Sequence, residues 1–282
     1  MNARAQASAE LKSQQRSHWD GVARGWGDWL DWTERNFAPV TSWLRTATAW
    51  TAATSLLDVA CGAGYPVLSA AAEMRDGRVS ATDLSPEMIE VASRQARARG
   101  LGHIAFREMD SERLIFEDGL FQVVTHAYGL MFCSDPARAT AEAYRVLAPG
   151  GRFGLVVWDE PSKSPFFTVI RGPAERALAL QPPDPEAPGP FRLASAHHLR
   201  ALLEGAGFTR VRVESVPATF ECSSVEEYCQ IFTDFAWKSK MATLTDEQRS
   251  QFHKAVGEAA RSFLDGARLR LQATTLCASG CK

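Results

Sequence analysis

Short apolar runs alternate with longer amphipathic stretches between residues 55 and 158. The short runs have the length of β-strands, and the stretches between them carry apolar residues at helical spacing. This alternation predicts a parallel sheet with helices on both faces, because parallel strands need helical crossovers that pack on the sheet. Four of the strand-like runs, taken with the residues that follow them, are 55–64, 78–83, 106–111 and 121–128.

Start and stop signals for helices occur where the alternation places them. Ser85 followed by Pro86 fits an N-cap and a first-turn proline, and Gly100 fits the position after a helix end. Asp135 followed by Pro136 repeats the start signal. These signals support the α/β assignment independently of the apolar pattern.

The regular alternation stops after residue 158. A proline-rich stretch over 181–190 predicts an irregular surface connection, and a sixth strand is predicted at Arg210–Val216. The next strand-like run is Ala273–Gly280, which we expect between strands five and six because strand six alone would leave an unpaired edge. The intervening Pro217–Arg268 is predicted to be a helical insertion above the carboxyl edge of the sheet, with a free-standing C-terminal tail as the alternative.

The predicted fold class is therefore α/β. We expect a Rossmann-like seven-stranded, mostly parallel sheet with helices on both faces, N-terminal helices, and a helical cap inserted between strands six and seven. The predicted division is an N-terminal helical segment 1–50, a Rossmann-like domain 51–216 with 269–282, and a cap insertion 217–268. The N-terminal segment holds six of the eight tryptophans, which either pack a helical layer or face a ligand.

The first predicted strand runs into a glycine-rich turn that is typical of nucleoside binding. Asp58 precedes the turn, and Gly62 and Gly64 allow its backbone to approach a ligand closely. Asp83 ends the second strand about 20 residues later, where a carboxylate can accept from ribose hydroxyls. Val67 stands where a dinucleotide-binding turn has its third glycine, so the pattern disfavours NAD.

The pattern Asp58-x-Ala60-x-Gly62-x-Gly64 resembles the first motif of the class I S-adenosylmethionine-dependent methyltransferases, which usually have glycine at the position of Ala60. Other segments are similar to later motifs of that family and occur in the same order, namely 83–89, 106–111, 121–128 and 147–153. The resemblance covers roughly residues 56–216. It implies S-adenosyl-L-methionine as the cofactor and S-adenosyl-L-homocysteine as the product.

The resemblance also implies a role for individual residues. Asp83 would bind the ribose and Asp110 the adenine amine, while His126 would lie near the sulfonium and is also the candidate catalytic base. A loop-bracing role for Asp58 and a structural role for His126 stay open. The implied cofactor-binding residues are Trp26, Asp58, Ala60, Gly62, Gly64, Asp83, Leu84, Met88, Asp110, Ser111 and His126.

The implied activity is methyl transfer to a small, apolar or aromatic acceptor, as in the ubiquinone and menaquinone C-methyltransferases and the natural-product methyltransferases of secondary metabolism. The sequence leaves open whether oxygen, nitrogen or carbon is methylated. Several aromatic residues could form the acceptor pocket, although core packing explains each of them equally well. These candidate substrate residues are Tyr128, Phe132, Trp158, Tyr228 and Phe232.

Composition excludes some other functions. The net charge of −2 and the absence of a basic track argue against nucleic-acid binding, so an RNA or protein methyltransferase is a weaker alternative. No apolar run has the length of a signal peptide core or a membrane span, and six scattered cysteines suggest reduced thiols and no metal site, so we expect a cytoplasmic protein. A cofactor-binding regulator or rearrangement catalyst without methyl transfer remains an alternative, and the oligomeric state, including a homodimer, stays open.

Overall fold

The structure is a computed structural model that describes residues 3–180, 184 and 187–282. Part of the proline-rich connection predicted at 181–190, and the first two residues of the predicted N-terminal segment, lie outside the described residues.

The strands of the described residues form one sheet with the order β3-β2-β1-β4-β5-β8-β6, and a two-residue strand, β7, pairs with β8. Strands β1 to β5 are parallel, whereas β8 runs antiparallel to both β5 and β6. The strands are β1 (Ser55–Val59), β2 (Arg78–Asp83), β3 (Ile104–Glu108), β4 (Phe121–Ala127), β5 (Leu147–Trp158), β6 (Thr209–Cys222), β7 (Leu264–Asp265) and β8 (Arg268–Cys281).

Helices cover the sheet, and three of the described helices precede β1 in the chain. A π-helical turn, Thr233–Trp237, joins two of them. The α-helices are α1 (Ala3–Asp28), α2 (Leu30–Asn36), α3 (Ala38–Thr48), α4 (Val67–Glu73), α5 (Pro86–Ala98), α6 (Pro136–Val146), α7 (Pro165–Leu178), α8 (Ala196–Gly205), α9 (Val225–Phe232), α10 (Lys238–Met241) and α11 (Asp246–Ala260).

The predicted α/β fold is confirmed, and so is the position of the last strand. β8 lies between β5 and β6, with Val156 opposite Cys277 and Val213 opposite Ala278. β8 thereby pairs with the edge of β5 that strand six alone was expected to leave unpaired. The predicted helix starts are also confirmed, because the Ser85 and Asp135 side chains accept hydrogen bonds from backbone N–H groups of the helices they begin.

The predicted end of the sixth strand was wrong. β6 continues through Pro217 to Cys222, and Pro217 lies opposite Thr274 in the ladder with β8. A proline is tolerated there because β6 is the outermost strand of this side of the sheet, so its missing N–H breaks no inner pairing. The first helix of the insertion, α9, therefore begins at Val225, shortly after β6 ends at Cys222.

The core lies on both faces of the sheet because side chains alternate along each strand. Leu57 and Val124 pack into one apolar cluster, and their neighbours Leu56 and Val123 pack into the other. The first cluster extends into the insertion, where Tyr228 and Phe252 join it. The insertion is thus part of the hydrophobic core.

Candidate functional site

A cavity of about 430 Å³ opens where the carboxyl ends of β1, β2, β4 and β5 meet. Open α/β sheets place their ligands at this edge. One end of the cavity, here called the polar end, is formed by the turn after β1 and by Asp83, Asp110 and Glu112. The other, here called the aromatic end, is formed by Tyr128, Trp158, Phe166, Phe167 and Phe232.

The turn after β1 presents bare backbone to the cavity. Ala60 and Gly62 both adopt left-handed backbone conformations, with φ of 54° and 53°. A side chain built on Gly62 would meet no atom within 4 Å, so the space above this residue is open for a ligand. The left-handed conformation strains an alanine, which explains why glycine suits the position of Ala60.

Asp83 is anchored at the end of β2 by backbone groups. One carboxylate oxygen accepts from the N–H of Gly62 at 2.9 Å, and the other accepts from the N–H of Ser85 at 2.9 Å. Burial raises the pKa of Asp83 to about 6, although these backbone hydrogen bonds act to lower it. Each oxygen keeps a further lone pair, so the carboxylate can accept from a ligand in the cavity that it lines.

Asp110, beyond the end of β3, is tied to the N-terminal helix. Its carboxylate accepts from the backbone N–H of Glu112 at 2.9 Å and from Nζ of Lys12 at 2.7 Å. Lys12 also pairs with the buried Glu112 at 2.6 Å. Burial acts to lower the pKa of Lys12, but its hydrogen bonds to the two carboxylates prevail and raise it. Helix α1 is therefore clamped across the polar end of the cavity.

The aromatic end is built from segments that are distant in sequence. Trp158 at the end of β5 contacts Tyr128 with ring centroids 4.5 Å apart and Phe167 of α7 at 4.7 Å. Phe166 contacts Phe232 of α9 at 5.0 Å. Tyr128 has a φ of 57°, a left-handed conformation that is rare for an aromatic residue and is held here by its contacts.

Helix α1 and the π-helical turn close the cavity from the side. The Trp26 ring stacks on Phe235 with centroids 3.9 Å apart, and its Nε1 donates to the Phe235 carbonyl. Trp29 donates to the carboxylate of Asp234 at 2.9 Å. A side chain on Gly25 would meet the Asp234 carbonyl oxygen at 2.5 Å, so glycine permits this close approach of the two helices.

Most of the residues proposed from the sequence line this one cavity. Eight of the implied cofactor residues do so, namely Trp26, Ala60, Gly62, Asp83, Leu84, Met88, Asp110 and Ser111. Four candidate acceptor residues do so as well, namely Tyr128, Phe132, Trp158 and Phe232. The structure thus brings the two predicted sets together.

His126 was misplaced by the sequence argument. It lies inside β4 and not past its end, is fully buried, and is not part of the cavity wall. Burial lowers the pKa of His126 to about 3, and neither ring nitrogen has a partner among the described residues. A side chain on Gly129 would meet its Nε2 at 2.8 Å, so the imidazole packs beneath the backbone that follows β4. This location contradicts contact with a ligand and a role as base.

Three further residues are also absent from the cavity wall. Asp58 is buried and accepts from Thr125 of β4 at 2.6 Å, which corresponds to the bracing alternative, and burial raises its pKa well above the usual range. The α-carbon of Gly64 packs against Leu68 of α4. Tyr228 is fully buried and donates its hydroxyl hydrogen to the Phe166 carbonyl, so it supports the aromatic end from behind.

Several residues of the cavity wall were not proposed from the sequence. Gln15 and His18 come from α1, Arg171 from α7, and Phe235 and Trp237 from the π-helical turn. Helical spacing from Trp19 and Trp26 points to one face of α1 and would have included His18 and Gln15. For Arg171 and the π-helical turn no local pattern distinguishes cavity from surface.

Comparisons with known proteins agree with this geometry. Residues 56–151 match a family model described as a methyltransferase domain. A demethylmenaquinone methyltransferase of Thermus thermophilus is 39% identical over 123 residues, which are 44% of this chain and 56% of that protein. The chain spans about half the length of the curated relatives it matches.

Solved structures extend the likeness of fold to most of the chain. The YcgJ protein of Bacillus subtilis has a TM-score of 0.57 at 21% identity, covering 87% of this chain and 98% of its own. The [4+2]-cyclase SpnF has a TM-score of 0.53 at 22% identity, covering 86% of this chain and 80% of its own. These identities support a shared fold alone.

Proposed function

Because this chain belongs to the class I S-adenosylmethionine-dependent methyltransferases, we propose that it transfers a methyl group to a small apolar or aromatic molecule. The observation that carries the proposal is the single cavity that joins the polar end to the aromatic end. A nucleoside needs backbone N–H groups and carboxylates such as those of the polar end. A flat, poorly charged acceptor needs ring faces such as those of the aromatic end.

The polar end fits S-adenosylmethionine. Asp83 would accept from the ribose hydroxyls, Leu84 and Met88 would cover the base, and the open backbone at Gly62 would lie along the methionine portion. Asp110 and Ser111 would lie at the adenine, where Asp110 already accepts from Lys12. Trp26 would offer a ring face near the cationic end of the cofactor.

The bound cofactor supplies an activated methyl group, whose transfer is an in-line displacement at carbon. What the chain contributes is orientation and exclusion of water, since positioning in a dry site accounts for much of such a rate enhancement. Trp158 and Phe167 would hold the acceptor ring, and the junction of α1 with the π-helical turn would close the site.

Among the residues that the structure describes, the aromatic end offers no ready proton acceptor. Burial raises the pKa of the Tyr65 and Tyr128 phenols well above their usual range, so both stay protonated. His18 on α1 is the imidazole that does line the cavity, and burial lowers its pKa, so it is neutral at pH 7. If the acceptor must lose a proton to the protein, we propose His18 for that role in place of His126.

A quinone-like acceptor and methylation at carbon are supported by the relative named demethylmenaquinone methyltransferase, although the matching segment is less than half of this chain. Residues 56–151, which match the methyltransferase-domain model, include the turn after β1 but neither α7 nor the insertion, which form much of the aromatic end. The proposed class of acceptor therefore rests more on the residues of the cavity than on the similarity to that relative.

Calorimetry with S-adenosylmethionine, S-adenosylhomocysteine and NAD tests the cofactor, and we expect binding of the first two only. Incubation with S-adenosylmethionine and menadiol or 1-naphthol, followed by mass spectrometry for S-adenosylhomocysteine and the methylated ring, tests transfer. Binding of NAD alone would contradict the proposal. Cofactor binding without product from any aromatic acceptor would favour the non-transferring alternative.

A further inference from the structure

Arg171 is a charged residue on an otherwise aromatic part of the cavity wall. It lies on α7, four residues after Phe167, and residues at this spacing share one face of a helix. Lys12 is the other cationic lysine or arginine among the described wall residues, and two carboxylates hold it at the polar end. Arg171 is thus a cation that no part of the proposed transfer reaction uses.

The guanidinium of Arg171 is only partly satisfied. Its Nε donates to Oε1 of Glu175 at 2.6 Å, and among the described residues nothing accepts from its two terminal nitrogens. Its side chain is 36% exposed, and Glu175 is not on the cavity wall. Within the described part of the chain, the two terminal nitrogens, which form the fork that binds oxyanions, therefore have no acceptor.

The ion pair with Glu175 is a weak stabiliser of the helix. Arginine precedes glutamate here, whereas the more stabilising order at this spacing has the acidic residue first. Glu175 also lies near the carboxyl end of α7, where the helix dipole disfavours a negative charge. The pair is better understood as fixing the orientation of the guanidinium.

The rings beside Arg171 indicate what shape of ligand would reach it. Phe167 contacts Trp158 on one side, at 4.7 Å between centroids, and Phe191 on the other, at 5.3 Å. Trp158, Phe167 and Arg171 line the same cavity of about 430 Å³, so an aromatic acceptor in contact with these rings shares the cavity with the guanidinium. An arginine fork pairs with a carboxylate through two parallel hydrogen bonds.

We propose that the acceptor is an acidic aromatic compound whose carboxylate is bound by Arg171. This inference rests on the proposed function, because it concerns the acceptor of that same cavity. It separates two kinds of substrate, since a neutral quinol with an apolar side chain would leave the arginine unpaired. The residue would then determine specificity without taking part in methyl transfer.

The test compares two naphthalenes that differ in one carboxylate, 1-hydroxy-2-naphthoate and 1-naphthol, by calorimetry on the protein saturated with S-adenosylhomocysteine. We expect the naphthoate to bind at least about tenfold more tightly, because hydrogen bonds to charged groups are among the stronger ones. In Arg171→Gln the two affinities should agree within about twofold, and Arg171→Lys should keep part of the preference.

Arg176→Gln is the matched control, because it removes the same charge from an exposed position of α7 that is not on the cavity wall. It should keep the full preference for the naphthoate. Equal affinities in the unaltered protein, absence of naphthoate binding, or a preference that survives Arg171→Gln would overturn the inference while S-adenosylhomocysteine still binds. Failure to bind S-adenosylhomocysteine would instead contradict the proposed function.

Discussion

The two ends of the cavity differ in how far apart their parts lie along the chain. At the polar end, the N–H of Gly62 and the carboxylate of Asp83 are 21 residues apart, and Asp110 accepts from the N–H only two residues on. Behind the aromatic end, Tyr228 donates to a carbonyl 62 residues away, and at the side of the cavity Trp26 donates to one that is 209 residues away. Apart from the contact of Lys12 with Asp110, which are 98 residues apart, the polar end consists of local turns that a motif can specify, whereas the aromatic end is assembled by packing.

The same contrast appears in the chemistry. The polar end uses backbone N–H groups and carboxylates, whose places are set by where strands stop. The aromatic end uses ring faces, which any apolar side chain of suitable size can approximate. Substitutions should therefore act on binding at the polar end and on both stability and acceptor selectivity at the aromatic end.

The largest effect is expected for Tyr228→Ala. The fully buried ring supports Phe166 and Phe232, so its removal leaves a cavity in the core. We expect the free energy of unfolding to fall by about 3–5 kcal/mol in denaturant titrations. Tyr228→Phe should lose only the hydrogen bond to the Phe166 carbonyl, at about 1–3 kcal/mol. If Tyr228→Ala instead kept normal stability and bound the acceptor more weakly, Tyr228 would belong to the acceptor site.

Asp83→Ala should weaken S-adenosylhomocysteine binding at least about tenfold, because hydrogen bonds to an ionised carboxylate are worth about 1.5–3 kcal/mol. Calorimetry at pH 8 gives the dissociation constant. Asp76→Ala is the control, since Asp76 is exposed in the turn before β2 and does not line the cavity. An unchanged constant in Asp83→Ala would mean that this carboxylate only anchors the turn.

Binding should also depend on pH through Asp83. Burial raises its pKa to about 6, and only the ionised form accepts from two hydroxyls, so affinity should fall by about tenfold between pH 8 and pH 5. The free energy of unfolding should depend on pH in the opposite direction. At pH values between the ordinary pKa of an aspartate and about 6, the folded state binds this proton and the unfolded state does not, so the folded state gains stability as the pH falls through that range. Asp83→Asn should abolish this part of the pH dependence, and its persistence would assign the dependence to another group.

Phe232→Leu should weaken acceptor binding and leave cofactor binding nearly unchanged. The ring lines the cavity and is nearly buried, and leucine keeps most of its volume while removing the aromatic face. We expect 1-naphthol to bind about three- to tenfold more weakly, because the variant loses an aromatic ring contact and some buried apolar area. The dissociation constant of S-adenosylhomocysteine should stay within about twofold, and a larger change would place Phe232 at the cofactor.

Ala60→Gly should have the smallest effect. Glycine relieves the left-handed strain at φ of 54°, but it adds conformational freedom to the unfolded chain. The two terms oppose each other, so the free energy of unfolding should change by less than about 1 kcal/mol and cofactor affinity by less than threefold. A large gain in affinity would show that the Ala60 side chain obstructs the ligand.

One histidine and two carboxylates illustrate which side-chain positions can be predicted from the sequence. Asp83 was placed correctly because the end of a strand fixes both its position and its direction. His126 was misplaced because a shift of one or two residues at the end of β4 decides between the core and the cavity. Asp58 faces Thr125 across the sheet, a pairing that only the register of β1 with β4 establishes.

The sequence by itself determined the alternating α/β order, the position of β8 and the polar end, because strand ends, glycine turns and helix caps act over a few residues. Tertiary structure alone decided that β6 extends through Pro217, that α1 crosses the cavity at Lys12, and that Arg171 lies among aromatic rings. The physical reason is that apolar packing is non-directional, so the same aromatic residues suit core, surface and ligand wall until the chain is folded.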